Sequence, residues 1–418
     1  MAPNSQPLTA AKIRLPHPYL TTYNVSPSNT IIEGNSSFQL RKVNNTEAQV
    51  FPQTLHNDNL HFTAPQPVKP QATIPVSDNT AWARAQRSPS AVARWENSTP
   101  PSVGHIWLYL YTIFTVQEET ETFRLTLQGP NAEKIAHALL LSMVATEHPS
   151  PVSSKTIFKA IPNELLVLRS AFWQGCASPL GSQPIWLPSW NPASSVPLLD
   201  WTMTSTETMH KRHPRRHPKP TPGSVVYSRY VPFLDEHFSL VALDYRNPEH
   251  LNLFHAWQND PRIAAGWKET GTLDEHRKYL RKQDEDPHTL TVLGRFDDEF
   301  FSYYEIFWAM EDNVGVHYAS GNFDRGRHTL VGNDNFRGPH RVMAWWPSMI
   351  HYCFLDDHRT ENVIGEPMST NDKDQVIDLP HKRASLVKVT RERYFQLCPF
   401  NQVSPHIAGT GLGLKPRL

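Results

Sequence analysis

Between His210 and Pro222 the chain reads HKRHPRRHPKPTP. Four prolines in thirteen residues exclude a helix interior, because each lacks a backbone N–H and clashes with the preceding turn. Extended chain is the expected state. The segment therefore splits the 418 residues into two halves, each of domain size. Its five Lys/Arg and three His admit a nucleic-acid arm, a metal site or a solvated basic linker. Lys+Arg 40 against Asp+Glu 40 excludes a bulk polycation. One basic run in a neutral protein grips phosphate weakly, so the linker reading leads. Hydrophobic residues at 39% suffice for sizeable cores and exclude full disorder. The three cysteines, Cys176, Cys353 and Cys398, lie too far apart in sequence for a disulfide scaffold or a zinc-ligand pair.

Residues 1 to about 100 carry only short apolar runs, such as Thr30–Ile32 and Phe38–Leu40, and read as scattered strands in long loops. Gly104–Val116 (GHIWLYLYTIFTV) is aromatic and β-branched, which predicts a buried central strand. Phe123–Gln128 alternates as a strand does. Ala132–Val144 reads as a helix capped by Asn131, and Asn163–Trp173 fits a strand or a helix. The longest apolar stretch, near Ile135–Val144, is about half a bilayer span. The N-terminal twenty residues have no apolar core of a secretory signal, so the sequons at Asn24, Asn35, Asn44 and Asn97 read as chance matches. The tripeptide Pro416–Arg417–Leu418 is a loose cousin of the peroxisomal address, so a peroxisomal or cytoplasmic protein is expected.

The second half begins near Gly223. Val225–Val231, Phe238–Leu243, Thr289–Phe296, Phe301–Met310, Val316–Ala319, Arg327–Gly332, Asn362–Glu366 and Ser385–Thr390 read as strands. His250–Gln258, Leu273–Gln283 and Val342–Leu355 read as helices, the last with Pro347 as a kink or restart. The expected layout is α+β: residues 1–201, a linker at 202–223, a second domain at 224–400 and a tail at 401–418. Asn335–Phe336–Arg337–Gly338–Pro339–His340–Arg341 lies between a strand and a helix. A helix N-terminus beside a basic, glycine-containing turn favours a pyrophosphate, although the same residues suit an Arg-rich surface loop.

Several blocks together carry a resemblance. Phe254–Arg262 (FHAWQNDPR), Tyr303–Ala309 with Glu311–Asp312, Asp324–Gly332 (DRGRHTLVG), Phe336–Val342 (FRGPHRV) and Phe354–Thr360 occur in this order. Gly365–Glu366–Pro367 and Pro380–Ala384 complete the set, over roughly Gly223 to Phe395. These blocks resemble the siderophore acyltransferases, a branch of the GCN5-related N-acyltransferases that acylates N-hydroxylated ornithine or lysine. The long N-terminal domain with Phe172–Trp173–Gln174–Gly175 is more similar to the fungal hydroxyornithine transacylases. The resemblance implies tandem acyltransferase folds, the N-terminal copy degenerate, with mixed sheets flanked by helices.

The resemblance also implies a site. Acyl-CoA, carrying acetyl or anhydromevalonyl, would lie in a splay between Arg327–Gly332 and Asn362–Glu366. Amides near Leu330 and Val331 would hold the thioester carbonyl. Arg337, Gly338, Pro339, His340 and Arg341 would hold the pyrophosphate, and Asn371 would reach the pantetheine. His328 would be the catalytic base, against the plain reading of a structural histidine. A second acid of the related mycobacterial branch would fall at Met368, with Asp324 or Glu366 as substitutes. A cationic amino-acid substrate would meet His255, Trp257, Asn259, Tyr304, Glu305, Trp308 and Glu311. Arg262 would touch the substrate or clamp a loop. No metal is implied, and a homodimer is. One departure stands out: only eight residues separate Asn371 from Pro380, where relatives carry roughly twenty more. Three readings follow: an active transacylase making a hydroxamate, an impaired scaffold of the same fold, and a nucleic-acid binder using His210–Pro222.

Overall fold

The computed structural model describes residues 8–43, 49–68, 80–117, 120–151, 161–190, 200–205, 210–367, 376–379 and 382–396. Asn371, Cys398 and the C-terminal tripeptide lie outside the described residues. The chain forms two units, Met1–Ile185 with Phe395–Leu418, and Trp186–Tyr394.

In the first unit, β1 (Lys12–Arg14), β2 (Thr22–Ile32), β3 (Asn35–Lys42), β4 (His61–Phe62), β5 (Ser90–Arg94), β6 (Thr122–Gln128), β7 (Ala145–Glu147) and β8 (Glu164–Leu168) form one sheet. Its order is β1-β2-β3-β4-β5-β6-β8-β7. Helices α1 (Ala81–Arg87), α2 (Val103–Val116), α3 (Ala132–Leu141) and α4 (Arg169–Trp173) accompany it. The expected strand at Gly104–Val116 is α2. Ser102 and His105 form a capping box at its start, and the helix is buried on nearly every side. A helix with no polar face shows no 3.6-residue period, so residue type alone misled. Asn131 stands at the start of α3 in the left-handed region without a side-chain cap; its amide donates to the Ser98 carbonyl instead.

In the second unit, β9 (Trp201–Ser205) pairs with β10 (His210–Pro214). Next come β11 (Val225–Val231), β12 (Glu236–Ala242), α5 (Pro248–Gln258), α6 (Pro261–Trp267), α7 (Leu273–Glu285), β13 (Thr289–Phe296), β14 (Glu299–Trp308), β15 (Arg325–Val331), α8 (Pro339–Asp356) and β16 (Asn362–Gly365). A small pair β17 (Val376–Leu379) and β18 (Lys382–Ser385), then β19 (Val387–Thr390) and α9 (Arg391–Gln396), end the described chain. The main sheet runs β11-β12-β13-β14-β15-β16-β19. The expected strand at Val316–Ala319 is instead a 3-10 turn, Asn313–Val316, whose start Asp312 caps. Helix α8 continues through Pro347.

Both sheets share one plan: antiparallel strands, a helical crossover to a single parallel neighbour, then antiparallel pairing again. They differ at the parallel pair. In the first unit β5 and β6 stay paired over five positions, from Ser90↔Arg124 to Arg94↔Gln128. In the second, β15 and β16 pair only at Arg325↔Val363 and Gly326↔Ile364, and then part. The first unit thus has the same strand plan without the fork.

The segment expected as a solvated linker is a packed strap of the second unit. Arg216 forks onto Glu311 at 2.5 and 2.6 Å and stacks on Trp308 at 4.3 Å. His217 faces Asp356 at 3.3 Å. Lys219 donates to the carbonyls of Gln283 and Asp284. Arg215 pairs with Asp200, and Arg212 covers Trp201. Arg216, His217 and Lys219 are thus committed within the second unit, while Arg212 and Arg215 stay exposed.

Candidate active site

The site lies where β15 leaves β16. Gly332 donates its amide to Phe301 of β14. Strand alternation then turns the amides of Leu330 and His328 toward β14, and those of Val331, Thr329 and Arg327 toward the gap. Leu330 is therefore corrected as a carbonyl holder: its amide faces β14 and its side chain is core. The Val331 and Thr329 amides both face the gap.

Side chains alternate likewise. His328 and its register partner Glu305 face the α5–α7 layer. His328 Nδ1 lies 2.9 Å from Glu305 Oε2, and Nε2 lies 2.8 Å from Glu366 Oε1. Glu305 Oε1 accepts from Tyr279 at 2.5 Å and Tyr303 at 2.9 Å. The Phe307 ring packs 4.9 Å from the imidazole, and Trp267 stands edge-on at 6.2 Å. His328 stays half-buried while both carboxylates are buried. Burial alone would lower the His328 pKa. Hydrogen bonds to Glu305 and Glu366, and their charges, outweigh it and raise the pKa to about 9. Burial would likewise raise Glu305, yet the His328 bond and charge and the two tyrosine hydroxyls hold it below its usual value.

His328 is thus an imidazolium at neutral pH with a carboxylate at each nitrogen. It therefore has no free lone pair for a simple base, and Glu305, His328 and Glu366 form one hydrogen-bonded array. Glu366, one of the two acids named in place of Met368, closes the array on the Nε2 side. Tyr279 and Tyr303 were not anticipated; Tyr279 enters from α7, far away in sequence, and no local spacing marks it.

The other expected substrate residues separate. Tyr304 and Trp308 lie on the opposite face of the sheet. Tyr304 is fully buried with its ring 5.9 Å from Trp345 of α8, and Trp308 is held between Arg216 and Arg325. Glu311 is buried and committed to Arg216 and His213. Asn259 exchanges two hydrogen bonds with the Gly271 backbone, and His255 meets His276 at 2.8 Å; both brace the α5–α7 connection. Arg262 clamps the carbonyls of Val331 and Gly332. Trp257 lies over Gly332, where an added Cβ would come within 2.1 Å of the indole. Gly332→Ala is therefore expected to destabilise the protein by about 1–3 kcal/mol through overpacking, measured by urea unfolding.

At the mouth of the gap, Gly338 (φ 107°) precedes Pro339, the first residue of α8. Only glycine adopts this conformation easily. Arg337 and His340 are exposed here, beside the helix N-terminus. Arg341 is not available: Glu236 holds its guanidinium, which also covers Phe296 and Phe336. A gap lined by strand amides and leading to a helix N-terminus with two exposed basic side chains fits acyl-CoA.

Residues 246–379 match the Acetyltransferase (GNAT) domain family. Over 98% of this chain and 97% of the relative, the protein is 42% identical to N(5)-hydroxyornithine:cis-anhydromevalonyl coenzyme A-N(5)-transacylase SIDF of Beauveria bassiana. It is 44% identical to hydroxyornithine transacylase SID3 of Ajellomyces capsulatus, over 97% of each chain. The chain belongs to the hydroxyornithine transacylase family of GNAT acyltransferases. A more distant relative is the N(6)-hydroxylysine O-acetyltransferase of Escherichia coli, 33% identical over 57% of this chain and 74% of that protein. The fork belongs to the second unit, within the matched residues. No helix among the described residues is long and apolar enough to cross a membrane.

Proposed function

We propose that this protein transfers an acyl group from acyl-CoA to the N5 nitrogen of N5-hydroxyornithine, yielding a hydroxamate for siderophore assembly. The observation that carries the reading is the Glu305–His328–Glu366 array beside an open strand fork, in a chain alike to two hydroxyornithine transacylases along its length. The impaired-scaffold reading has less support, because the fork and the array both lie within the described residues. Anhydromevalonyl-CoA is the donor named for the Beauveria relative and is the leading donor here.

The co-substrate supplies the thioester. An N-hydroxyamine is neutral near pH 7, so positioning and carbonyl polarisation carry much of the rate. The Val331 and Thr329 amides polarise the carbonyl. The acceptor arrives on the His328 face. As C–N forms and C–S breaks, the nitrogen proton passes to Glu366 and His328 protonates the departing sulfur. Glu305, already accepting three hydrogen bonds, orients His328 rather than taking the proton.

The pH dependence follows. The active form needs the imidazolium, so kcat is expected to stay level through pH 6–7 and to fall as pH rises through about 9. Because the folded pKa lies above the unfolded value near 6.5, the stabilisation is complete below that value and lost through about 9. A histidine base of ordinary pKa would instead give a rise between pH 6 and 7. Product identity tests the chemistry: N-acylation gives a ferric-coloured hydroxamate, whereas O-acylation gives an ester without that colour. Ornithine lacking the N-hydroxyl is the control and is expected to react far more slowly. Ester product would overturn the N-acyl reading.

A further inference from the structure

Arg327 is the charged group of the fork that this mechanism leaves unused. It sits on β15 beside His328, but on the α8 side of the sheet. Its guanidinium lies 5.4 Å from the Trp346 ring centroid, and a Cβ on Gly365 would stand 3.6 Å from Nη2. It therefore spans the gap between β15 and the end of β16. Arg325, two residues earlier on β15, and Arg216 of the strap are both paired with carboxylates. Among the described residues no carboxylate pairs with Arg327, whose hydrogen bond is a long one to Thr329 Oγ1 at 3.4 Å. Burial lowers its pKa to about 10. Arg327 is half-buried, and a partly desolvated cation without a carboxylate is costly; an oxygen brought in by a ligand relieves the cost.

The strand decides which part of a ligand that is. The basic mouth at Arg337 and His340 lies beyond Val331, so the phosphates belong there. The thioester belongs at the Val331 and Thr329 amides. Arg327 is two to four residues deeper, about 7–13 Å along the strand. Beyond a thioester, only the acyl chain extends further. We infer that Arg327 hydrogen-bonds an oxygen on the acyl chain beyond the thioester carbonyl, and so selects oxygen-bearing acyl donors over plain alkyl ones. This inference rests on the acyl-CoA reading above. A hydroxyl and a carboxylate share the required chemistry.

The test is steady-state kinetics of the full chain with N5-hydroxyornithine and four donors: acetyl-, butyryl-, 3-hydroxybutyryl- and succinyl-CoA. The wild type is expected to favour at least one oxygenated donor over butyryl-CoA by about tenfold or more in kcat/KM. Preference for 3-hydroxybutyryl alone, or succinyl alone, identifies the oxygen. Arg327→Met is expected to bring that ratio close to one, and Arg327→Lys to restore part of it. Turnover without preference for either oxygenated donor overturns the inference, as does an Arg327→Met effect equal on all four donors. If Arg327→Met does not fold, the wild-type ratios and Arg327→Lys decide. No thiol release with these four donors or with anhydromevalonyl-CoA overturns the acyltransferase reading, and this inference with it.

Discussion

His328→Ala is expected to lower kcat by about 10²–10⁴-fold. The variant loses the imidazolium that donates to the departing sulfur. It also leaves Glu305 and Glu366 buried without their shared cation. Removing one partner of a buried charge array costs about 3–5 kcal/mol, so a fall in melting temperature accompanies the loss. Glu366→Gln separates the two effects. It removes the proton acceptor, while Glu305 still pairs with His328 and accepts from Tyr279 and Tyr303. A strong fall in kcat with a small change in melting temperature is the expected result. Full activity in Glu366→Gln would return the proton to another group. Rates and thermal melts of both variants, measured on the same preparations, decide between these outcomes.

Glu311→Gln is expected to do the reverse. The Glu311 carboxylate has no exposed surface and holds Arg216 through two short bonds, with His213 beside it. Neutralising it strands the Arg216 guanidinium between Trp308 and Phe323. The expected loss is about 3–5 kcal/mol. For a unit of this size that corresponds to a fall of roughly 6–20 °C in melting temperature. The KM for the amino-acid substrate should stay as in the wild type, because Glu311 and Trp308 lie away from the His328 face. A rise in KM with unchanged stability would restore the direct substrate role that the sequence suggests for Glu311.

These two variants mark what was legible in the chain and what was not. Strand β13 was readable to its ends, and β14 and β15 to within two residues, because alternation and turn residues bound them. Motif resemblance singled out His328 and Glu305, but their register pairing was not legible: it needs the β14–β15 ladder. Tyr304 and Trp308 sit in the same motif as Glu305, yet alternation sends them to the other face. Tyr279 comes from a charged helix whose pattern speaks only of surface. Helix α2 misread as a strand because complete burial erased its period. The basic strap misread as solvated because composition cannot tell a cation facing water from one stacked on Trp308.

The central claim is that the second unit turns over acyl-CoA on N5-hydroxyornithine through the Glu305–His328–Glu366 array. The most direct measurement is release of free CoA thiol by the full chain, with anhydromevalonyl-CoA or acetyl-CoA and N5-hydroxyornithine. Each thiol released should match one hydroxamate formed, and His328→Ala should slow both together. Folded wild-type protein that binds acyl-CoA but releases no thiol with either donor would contradict the claim and leave the scaffold reading in its place.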